Sequence, residues 1–382
     1  MEQIIRGKYH RETKVVDAMH PRSRRDATIV HSRDKLQVVY DVFTLKNQIY
    51  RNLDLKLNLL FLHGSGMNRV IWDYYVAHIL KYDLGDAVIN KIVTLDQVTH
   101  GDSAVLNSGK LGVSFDWSDG ARDACIVAQK EFWGETDAAS TVNIIIGHSM
   151  GGFQAMNCGI LMPSLFHYII TIEPVALSPN IPNKENRTIA HPRFINALSV
   201  KIRDSFTSEA DYENFMKKKS FFTNTHPEII QRFMDSERLP QSDGSIRTKM
   251  ERRQEIICYL TLHPTANWFL DSVKHIKVPV VSIVGEIAKW NPPENQETLK
   301  RLIPNYTKDI IPGGDHLVNI EMPNEVLQKI VWHLSNFLAD YKSKNYDDQN
   351  LSSQEREQKF TQMFDKFLKD GTKNDIPILS KF

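Results

Sequence analysis

The sequence has little of three features that would each indicate a particular class of protein. It has no run of 18 or more apolar residues, so it predicts no membrane-spanning helix. Its 47 Lys and Arg residues nearly balance its 46 Asp and Glu residues, and a net charge of +1 leaves no basic excess for nucleic-acid phosphates. Its three cysteines are widely spaced, which argues against a disulfide framework and favours a reducing compartment. A membrane-spanning protein, a nucleic-acid binder and a disulfide-rich secreted protein are therefore not expected.

The remaining composition, with 41% hydrophobic and 24% charged residues, is that of a soluble globular protein. A length of 382 residues suits an α/β domain that carries an inserted cap. The first segment is polar and basic and predicts a mobile or loosely docked arm. The predicted division is an N-terminal extension (1–33), the first part of an α/β core (34–174), a cap insertion (175–275), the second part of the core (276–341) and a charged tail (342–382).

Short apolar runs alternate with helical patterns in the first half of the chain. The runs at 57–64, 91–97, 141–149 and 166–174 predict buried strands, and the alternation indicates βαβ units with a parallel sheet. Residues 175–275 break this rhythm before strands resume. We therefore predict an α/β fold with a mostly parallel sheet, helices on both of its faces and a helical cap inserted between late strands.

The string Gly147-His148-Ser149-Met150-Gly151 matches the pattern G-x-S-x-G. An apolar strand leads directly into it and an apolar helix follows, which is the context that a nucleophile elbow requires. Ser149 is therefore the candidate nucleophile. The alternative is a glycine-rich strand-to-helix turn that carries no chemistry.

Two further turns supply partners for Ser149. The turn His63-Gly64-Ser65-Gly66 follows the first buried strand, so by position the backbone amides of Ser65 and Met150 would form the oxyanion hole. His316 lies on a loop directly after the last strand, where a general base is expected. The alternatives here are a flexible turn and a solvated histidine.

The sequence leaves the catalytic acid open. The usual position is the loop after the penultimate strand, where Glu286 stands very close to the strand end. Glu173 ends an earlier strand and is followed by a proline, and we favour it over Glu286. Asp315 adjoins His316 in sequence, so its side chain is expected to point elsewhere.

The strings NLLFLHGSGM, LDQVTHGDSAV, IIGHSMGGFQA, IIPGGDHLVN and SFFTNTH resemble the yeast peroxisomal lipase family of α/β-hydrolases. The resemblance spans most of the chain. It implies a serine hydrolase with lipase or acyl-esterase activity on fatty-acyl esters. It implies no metal and no cofactor, and the His and Cys spacings suggest none.

The last three residues, Ser380, Lys381 and Phe382, are a variant of the S-K-L peroxisomal address. They predict binding to the import receptor and a location in the peroxisomal matrix. The alternative is an arbitrary C-terminus. The sequence is also compatible with a homodimer.

Apolar residues of the predicted cap suit either an acyl-chain pocket or an ordinary cap core. These residues are Phe206, Phe215, Met216, Phe221, Phe222, Phe233 and Met234.

The chemistry predicted from these residues is an acyl-enzyme mechanism. Ser149 attacks the ester carbonyl, His316 transfers the proton, and an acid, Glu173 in preference to Glu286, orients the imidazole. Two alternatives stay open: an acyl-CoA thioesterase or acyltransferase, and a hydrolase-fold binding protein without catalysis.

Overall fold

The computed structural model describes residues 1–46, 55–85, 87–132, 141–176, 196, 198, 200–261, 263–289, 293–344 and 351–370. Its strands, in chain order, are β1 (Tyr9–Asp17), β2 (Gln37–Leu45), β3 (Leu55–Leu62), β4 (Ala87–Leu95), β5 (Thr141–His148), β6 (Tyr168–Ile172), β7 (Ser205–Phe206), β8 (Arg238–Pro240), β9 (Ile246–Thr248), β10 (Val280–Gly285) and β11 (Tyr306–Ile311).

The described residues also form helices, and those of the insertion make up most of the cap. In chain order they are α1 (Glu2–Lys8), α2 (Asp73–His78), α3 (Gly101–Leu106), α4 (Trp117–Phe132), α5 (Met150–Leu161), α6 (Glu209–Lys218), α7 (Pro227–Glu237), α8 (Arg252–Leu260), α9 (His263–Ser272), α10 (Pro293–Leu302), α11 (Val318–Glu321), α12 (Pro323–Lys344) and α13 (Ser353–Asp370).

Eight strands form one sheet in the order β1-β2-β4-β3-β5-β6-β10-β11. The six strands from β4 to β11 are parallel, while β2 runs antiparallel to both β4 and β1. Every residue of β5 is buried, as expected for a strand that helices cover on both faces. The predicted α/β fold with a mostly parallel sheet is confirmed.

The prediction of a mobile or loosely docked arm at residues 1–33 is wrong. Strand β1 pairs with β2 over nine residues and adds an edge strand to the sheet. Further along, Arg22 is 5% exposed, and its guanidinium donates to both carboxylate oxygens of Asp123 at 2.8 Å. Asp119 lies 3.4 Å from the same guanidinium. Arg22, one of the basic residues that suggested a mobile or loosely docked arm, is instead neutralised by two aspartates of α4.

The insertion between the sixth and seventh strands of the large sheet contains helices α6 to α8. It also contains a three-stranded antiparallel sheet, in the order β7-β9-β8, which the sequence analysis did not predict because its strands are only two or three residues long. Helix α9 returns to the core, where the rings of Phe269 and Phe153 lie 4.4 Å apart.

Residues 1–339 form one compact unit, and residues 340–382 form a second. Within the second unit, α13 carries charged residues along most of its length. The predicted address Ser380, Lys381 and Phe382 lies outside the described residues. Among the helices that are described, none is long and apolar enough to cross a membrane.

Replacing Arg22 with alanine should destabilise the protein by about 3–5 kcal/mol, because it leaves the buried carboxylate of Asp123 without its cation, whereas Asp119 keeps its ion pair with Arg122. The midpoint of denaturant unfolding measures this loss. The matched control is Arg24→Ala, which removes an exposed ion pair with Asp26 and should cost less than about 1 kcal/mol. Equal shifts in the two variants would contradict the docked position of this segment.

Candidate active site

Ser149 stands at the sharp turn between β5 and α5. It has φ 54° and ψ −112°, a backbone conformation that non-glycine residues rarely adopt. The Ser149 amide donates to the carbonyl of Ile172 at 3.0 Å, and the Val175 amide donates to the carbonyl of Ser149 at 3.3 Å. These contacts from β6 and its following loop hold the strained turn in place.

Two glycines let α5 approach the sheet closely enough to form this turn. A Cβ on Gly151 would lie 2.3 Å from the carbonyl oxygen of Leu62 in β3, and one on Gly147 would lie 2.1 Å from the carbonyl oxygen of Gly151. Both contacts are with backbone, which cannot move aside as a flexible side chain can. The glycines of the sequence pattern therefore have a steric role here.

His316 lies on the loop after β11, and its imidazole contacts Ser149. Its Nε2 is 3.0 Å from Ser149 Oγ, and its Nδ1 is 3.3 Å from Glu173 Oε2. Because a carboxylate only accepts hydrogen bonds, the Nδ1 proton points to Glu173, and the unprotonated Nε2 accepts from the serine hydroxyl.

Glu173 occupies the turn directly after β6. Its φ is 47°, and among the described residues it and Ser149 are the two non-glycine residues with φ in the left-handed region. The side chain is 1% exposed, and Oε1 accepts a hydrogen bond from the Gly285 amide at 2.7 Å. The carboxylate is thus fixed through one oxygen and faces the histidine with the other.

The other candidate acids point away from the imidazole of His316. Glu286 is exposed, and its Oε2 accepts from the Gly313 amide at 2.8 Å. Asp315 accepts from the backbone amide of His316, also at 2.8 Å. Of the three carboxylates weighed from the sequence, the structure brings Glu173 to the ring.

The sequence analysis missed His148, which supports the loop of His316. Its Nε2 donates to the carbonyl oxygen of His316 at 2.8 Å. Complete burial lowers the pKa of His148 to about 3, so the ring stays neutral and keeps this role. Its only signal in the sequence is its place as the second residue of the G-x-S-x-G string.

The predicted oxyanion residues also lie next to each other. Ser65 Oγ is 3.4 Å from the sulfur of Met150, whose amide is the first of α5 and has no partner within the helix. Gly66, which follows Ser65 in the sequence, has φ 78°, and its amide donates a hydrogen bond to His100 Nε2 at 3.1 Å. Burial holds the pKa of His100 well below its usual value, so this ring is neutral and able to accept.

A metal ion in a protein is held by several His, Cys, Asp or Glu side chains that lie close together. Within the described part of the chain, no group of three or more His, Cys, Asp or Glu side chains is arranged to hold one.

The sequence matches the alpha/beta hydrolase family over residues 59–329, which include Ser65, Ser149, Glu173 and His316. The chain belongs to this family. Peroxisomal membrane protein LPX1 of Saccharomyces cerevisiae is 38% identical over 96% of this chain and 97% of its own length. This confirms the resemblance to the yeast peroxisomal family and the predicted peroxisomal location.

Solved structures agree with this family membership. The crystal structure of the yeast peroxisomal alpha-beta-hydrolase Lpx1 superposes with a TM-score of 0.86, covering 95% of this chain and 98% of that chain at 38% identity. A thioesterase domain from the curacin biosynthetic pathway covers 84% of this chain and 99% of that one, with a TM-score of 0.59 and 14% identity. At that identity the likeness concerns the fold alone.

Replacing Gly151 with alanine should cost about 3 kcal/mol of stability, because the new methyl group would overlap the Leu62 carbonyl. The control is Gly7→Ala in α1, where nothing lies within 4 Å and alanine should stabilise the helix by about 0.5–1 kcal/mol. Thermal unfolding of both variants checks the opposite signs. A Gly151 variant as stable as the wild type would contradict the close approach at the elbow.

Proposed function

We propose that this hydrolase cleaves carboxylic esters through a serine nucleophile, as a lipase or acyl-esterase. The observation that carries the proposal is the hydrogen-bonded series from Ser149 through His316 to Glu173, with distances of 3.0 Å and 3.3 Å. This is the arrangement of nucleophile, base and orienting acid that ester cleavage requires.

In the first half of the reaction, His316 Nε2 takes the proton of Ser149 Oγ as the oxygen attacks the ester carbonyl. Glu173 stabilises the imidazolium that forms, since its carboxylate already accepts from Nδ1. The amides of Ser65 and Met150 donate to the oxyanion, and the N-terminus of α5 adds a favourable dipole. His316 then gives its proton to the leaving alcohol, and an acyl-Ser149 remains.

In the second half, a water molecule attacks the acyl group while His316 again acts as the base. The same oxyanion donors stabilise the second tetrahedral intermediate, and its collapse returns the Ser149 hydroxyl. The mechanism assigns every step to side chains and amides of this chain and uses no metal or cofactor.

The apolar cap residues support acyl esters as the substrate class. Phe215, Phe222 and Phe233 line a cavity that reaches Gly66. Gly66 belongs to the turn His63-Gly64-Ser65-Gly66 after β3, which we call the oxyanion turn. The cavity's volume of about 30 Å³ holds one or two water molecules, so a long fatty-acyl chain requires the cap to move.

Peroxisomal import through the receptor that reads the C-terminal tripeptide is part of the same proposal.

The second candidate is hydrolysis or transfer of acyl groups from coenzyme A, which uses the same nucleophile. The sequence lacks an obvious basic cradle for the CoA phosphates, and this favours simple esters. The third candidate is a binding protein with the hydrolase fold. The short contact between His316 and Ser149 favours an enzyme, because binding alone would not require it.

Wild type should hydrolyse p-nitrophenyl esters within a series from two to sixteen carbons. The Ser149→Ala variant should lose turnover on the order of a millionfold, because the nucleophile is gone. A serine-directed phosphonate should label the wild type alone, as read by intact mass. If wild type neither turns over any ester nor accepts the label, the serine-hydrolase proposal fails.

Exchanging Glu173 for Gln should lower kcat by about 10⁴-fold, because the amide no longer stabilises the protonated imidazole. The matched control is Glu286→Gln, which alters an exposed carboxylate and should leave kcat within about twofold of wild type. Steady-state kinetics on one p-nitrophenyl ester compares the two. A larger loss in the Glu286 variant would reverse the assignment of the acid.

A further inference from the structure

The imidazole of His100 contacts the oxyanion turn, and the proposed mechanism assigns it no step. His100 is the residue before α3, and it is 0% exposed. Its Nε2 accepts a hydrogen bond from the Gly66 amide at 3.1 Å, and its Nδ1 lies 2.9 Å from Thr99 Oγ1. Both ring nitrogens therefore have a partner, as buried polar groups require.

These partners determine the tautomer of His100. A backbone amide only donates, so Nε2 carries no proton, and the Nδ1 proton of the neutral ring points to Thr99 Oγ1. The ring is neutral because burial holds the pKa of His100 well below its usual value. His100 thus presents a fixed acceptor to the Gly66 amide.

The turn that His100 contacts has the features of a type II β-turn. The Met67 amide donates to the Gly64 carbonyl at 3.2 Å, and Gly66, the third of the four residues, has φ 78°. Types I and II differ mainly by a rotation of the central peptide, here the one between Ser65 and Gly66, and a glycine can adopt both. The residues of the turn therefore leave the orientation of this peptide open.

Hydrogen bonds at the two ends of the central peptide decide its orientation. His100 accepts from its amide, and the Tyr259 hydroxyl of α8 donates to its carbonyl, that of Ser65, at 3.4 Å. A rotated peptide would turn the Ser65 carbonyl toward Nε2, so that two acceptors would face each other in the interior of the protein. The bond from Tyr259 is long, so the bond to His100 is the stronger constraint.

The preceding peptide carries the proposed oxyanion donor, the Ser65 amide. His63 Nδ1 donates to the Gly64 carbonyl at 2.9 Å, and because a trans peptide is planar, the Ser65 amide points the opposite way. The rings of His63 and His100 lie 4.8 Å apart. The two peptides that flank Ser65 are therefore each held by a buried histidine.

We propose that His100 is a positioning residue: it fixes the central peptide of the oxyanion turn in the type II orientation and so holds the Ser65 amide where it can stabilise the oxyanion. His100 acts through the turn and does not contact the substrate. An oxyanion donor is effective only at the correct distance from the developing charge, so a turn that alternates between two forms would stabilise the transition state less. This inference rests on the proposed ester-hydrolase function.

The test replaces His100 with two amides of different length. Gln can place its Oε1 near the position of Nε2 and keep an acceptor for the Gly66 amide, whereas Asn is one methylene shorter and cannot reach it. On one p-nitrophenyl ester, His100→Asn should lower kcat by about 10- to 100-fold and change KM by less than about twofold, because the oxyanion forms only in the transition state. His100→Gln should keep kcat within about fivefold of wild type.

An alkyl trifluoromethyl ketone separates positioning from a merely structural effect. Ser149 Oγ adds to its carbonyl carbon, the hydroxyl proton passes to His316 Nε2, and the carbonyl oxygen becomes an oxyanion that the turn must bind. The inhibition constant of the ketone should rise in His100→Asn by the factor by which kcat/KM falls, while that of the corresponding alcohol should not change. The matched control is His78→Asn, which removes a buried histidine of α2 and should leave kcat within about twofold of wild type.

Thermal unfolding shows whether each variant is folded. If His100→Asn does not fold, His100→Leu replaces it with the same expected results, since leucine also lacks an acceptor. Equal kcat values in the Asn and Gln variants, or a lower kcat with an unchanged inhibition constant of the ketone, would overturn the positioning role and leave the esterase proposal standing. If wild type hydrolyses no ester, both proposals are overturned.

Discussion

The close packing of α5 against β3 and β5 is the constraint on which the rest of the site depends. Because Gly147 and Gly151 have no Cβ, α5 can begin with a single residue between it and the end of β5. That residue, Ser149, adopts φ 54°. Its hydroxyl is thereby held at the carboxyl edge of the sheet. Strands β6, β10 and β11 end at the same edge, so the turns that follow them reach Ser149 without long loops.

The same parallel arrangement explains why the neighbouring positions of Ser149 and His316 could be predicted from the sequence, while the choice between Glu173 and Glu286 stayed open. Strands β6 and β10 are neighbours, so by strand position Glu173 and Glu286 are both close to His316. The direction of each side chain decides between them. A φ of 47° turns Glu173 inward, whereas Glu286 extends to the Gly313 amide at the surface. The pattern of residue types does not encode this backbone torsion, so the sequence alone could not decide between Glu173 and Glu286.

The N-terminal segment shows a different limit of prediction. An edge strand such as β1 has one neighbour, and polar residues are tolerated along much of it, so its apolar pattern is weak. The basic residues that follow it suggested a mobile or loosely docked arm. Arg22 is nevertheless buried, because Asp119 and Asp123, about a hundred residues later, neutralise it. Charge complementarity over that distance becomes visible only when the chain is folded.

The contacts between cap and core bear on how the small cavity could admit a substrate. Arg232 of the cap pairs with Asp73 of the core, and Lys249 with Asp102, and both cations are partly exposed. Separating Lys249 from Asp102 costs little, because water screens and solvates both partners. Asp73 is 0% exposed, so losing Arg232 costs more, although Arg11 stays 3.5 Å from its carboxylate. The buried hydrogen bond between Asn68 and Glu237 has no such compensation, since the groups it joins are shielded from water. Movement of the cap is therefore limited more by buried contacts of this kind, which include the hydrogen bond from the Trp117 indole to the Cys258 carbonyl at 2.9 Å.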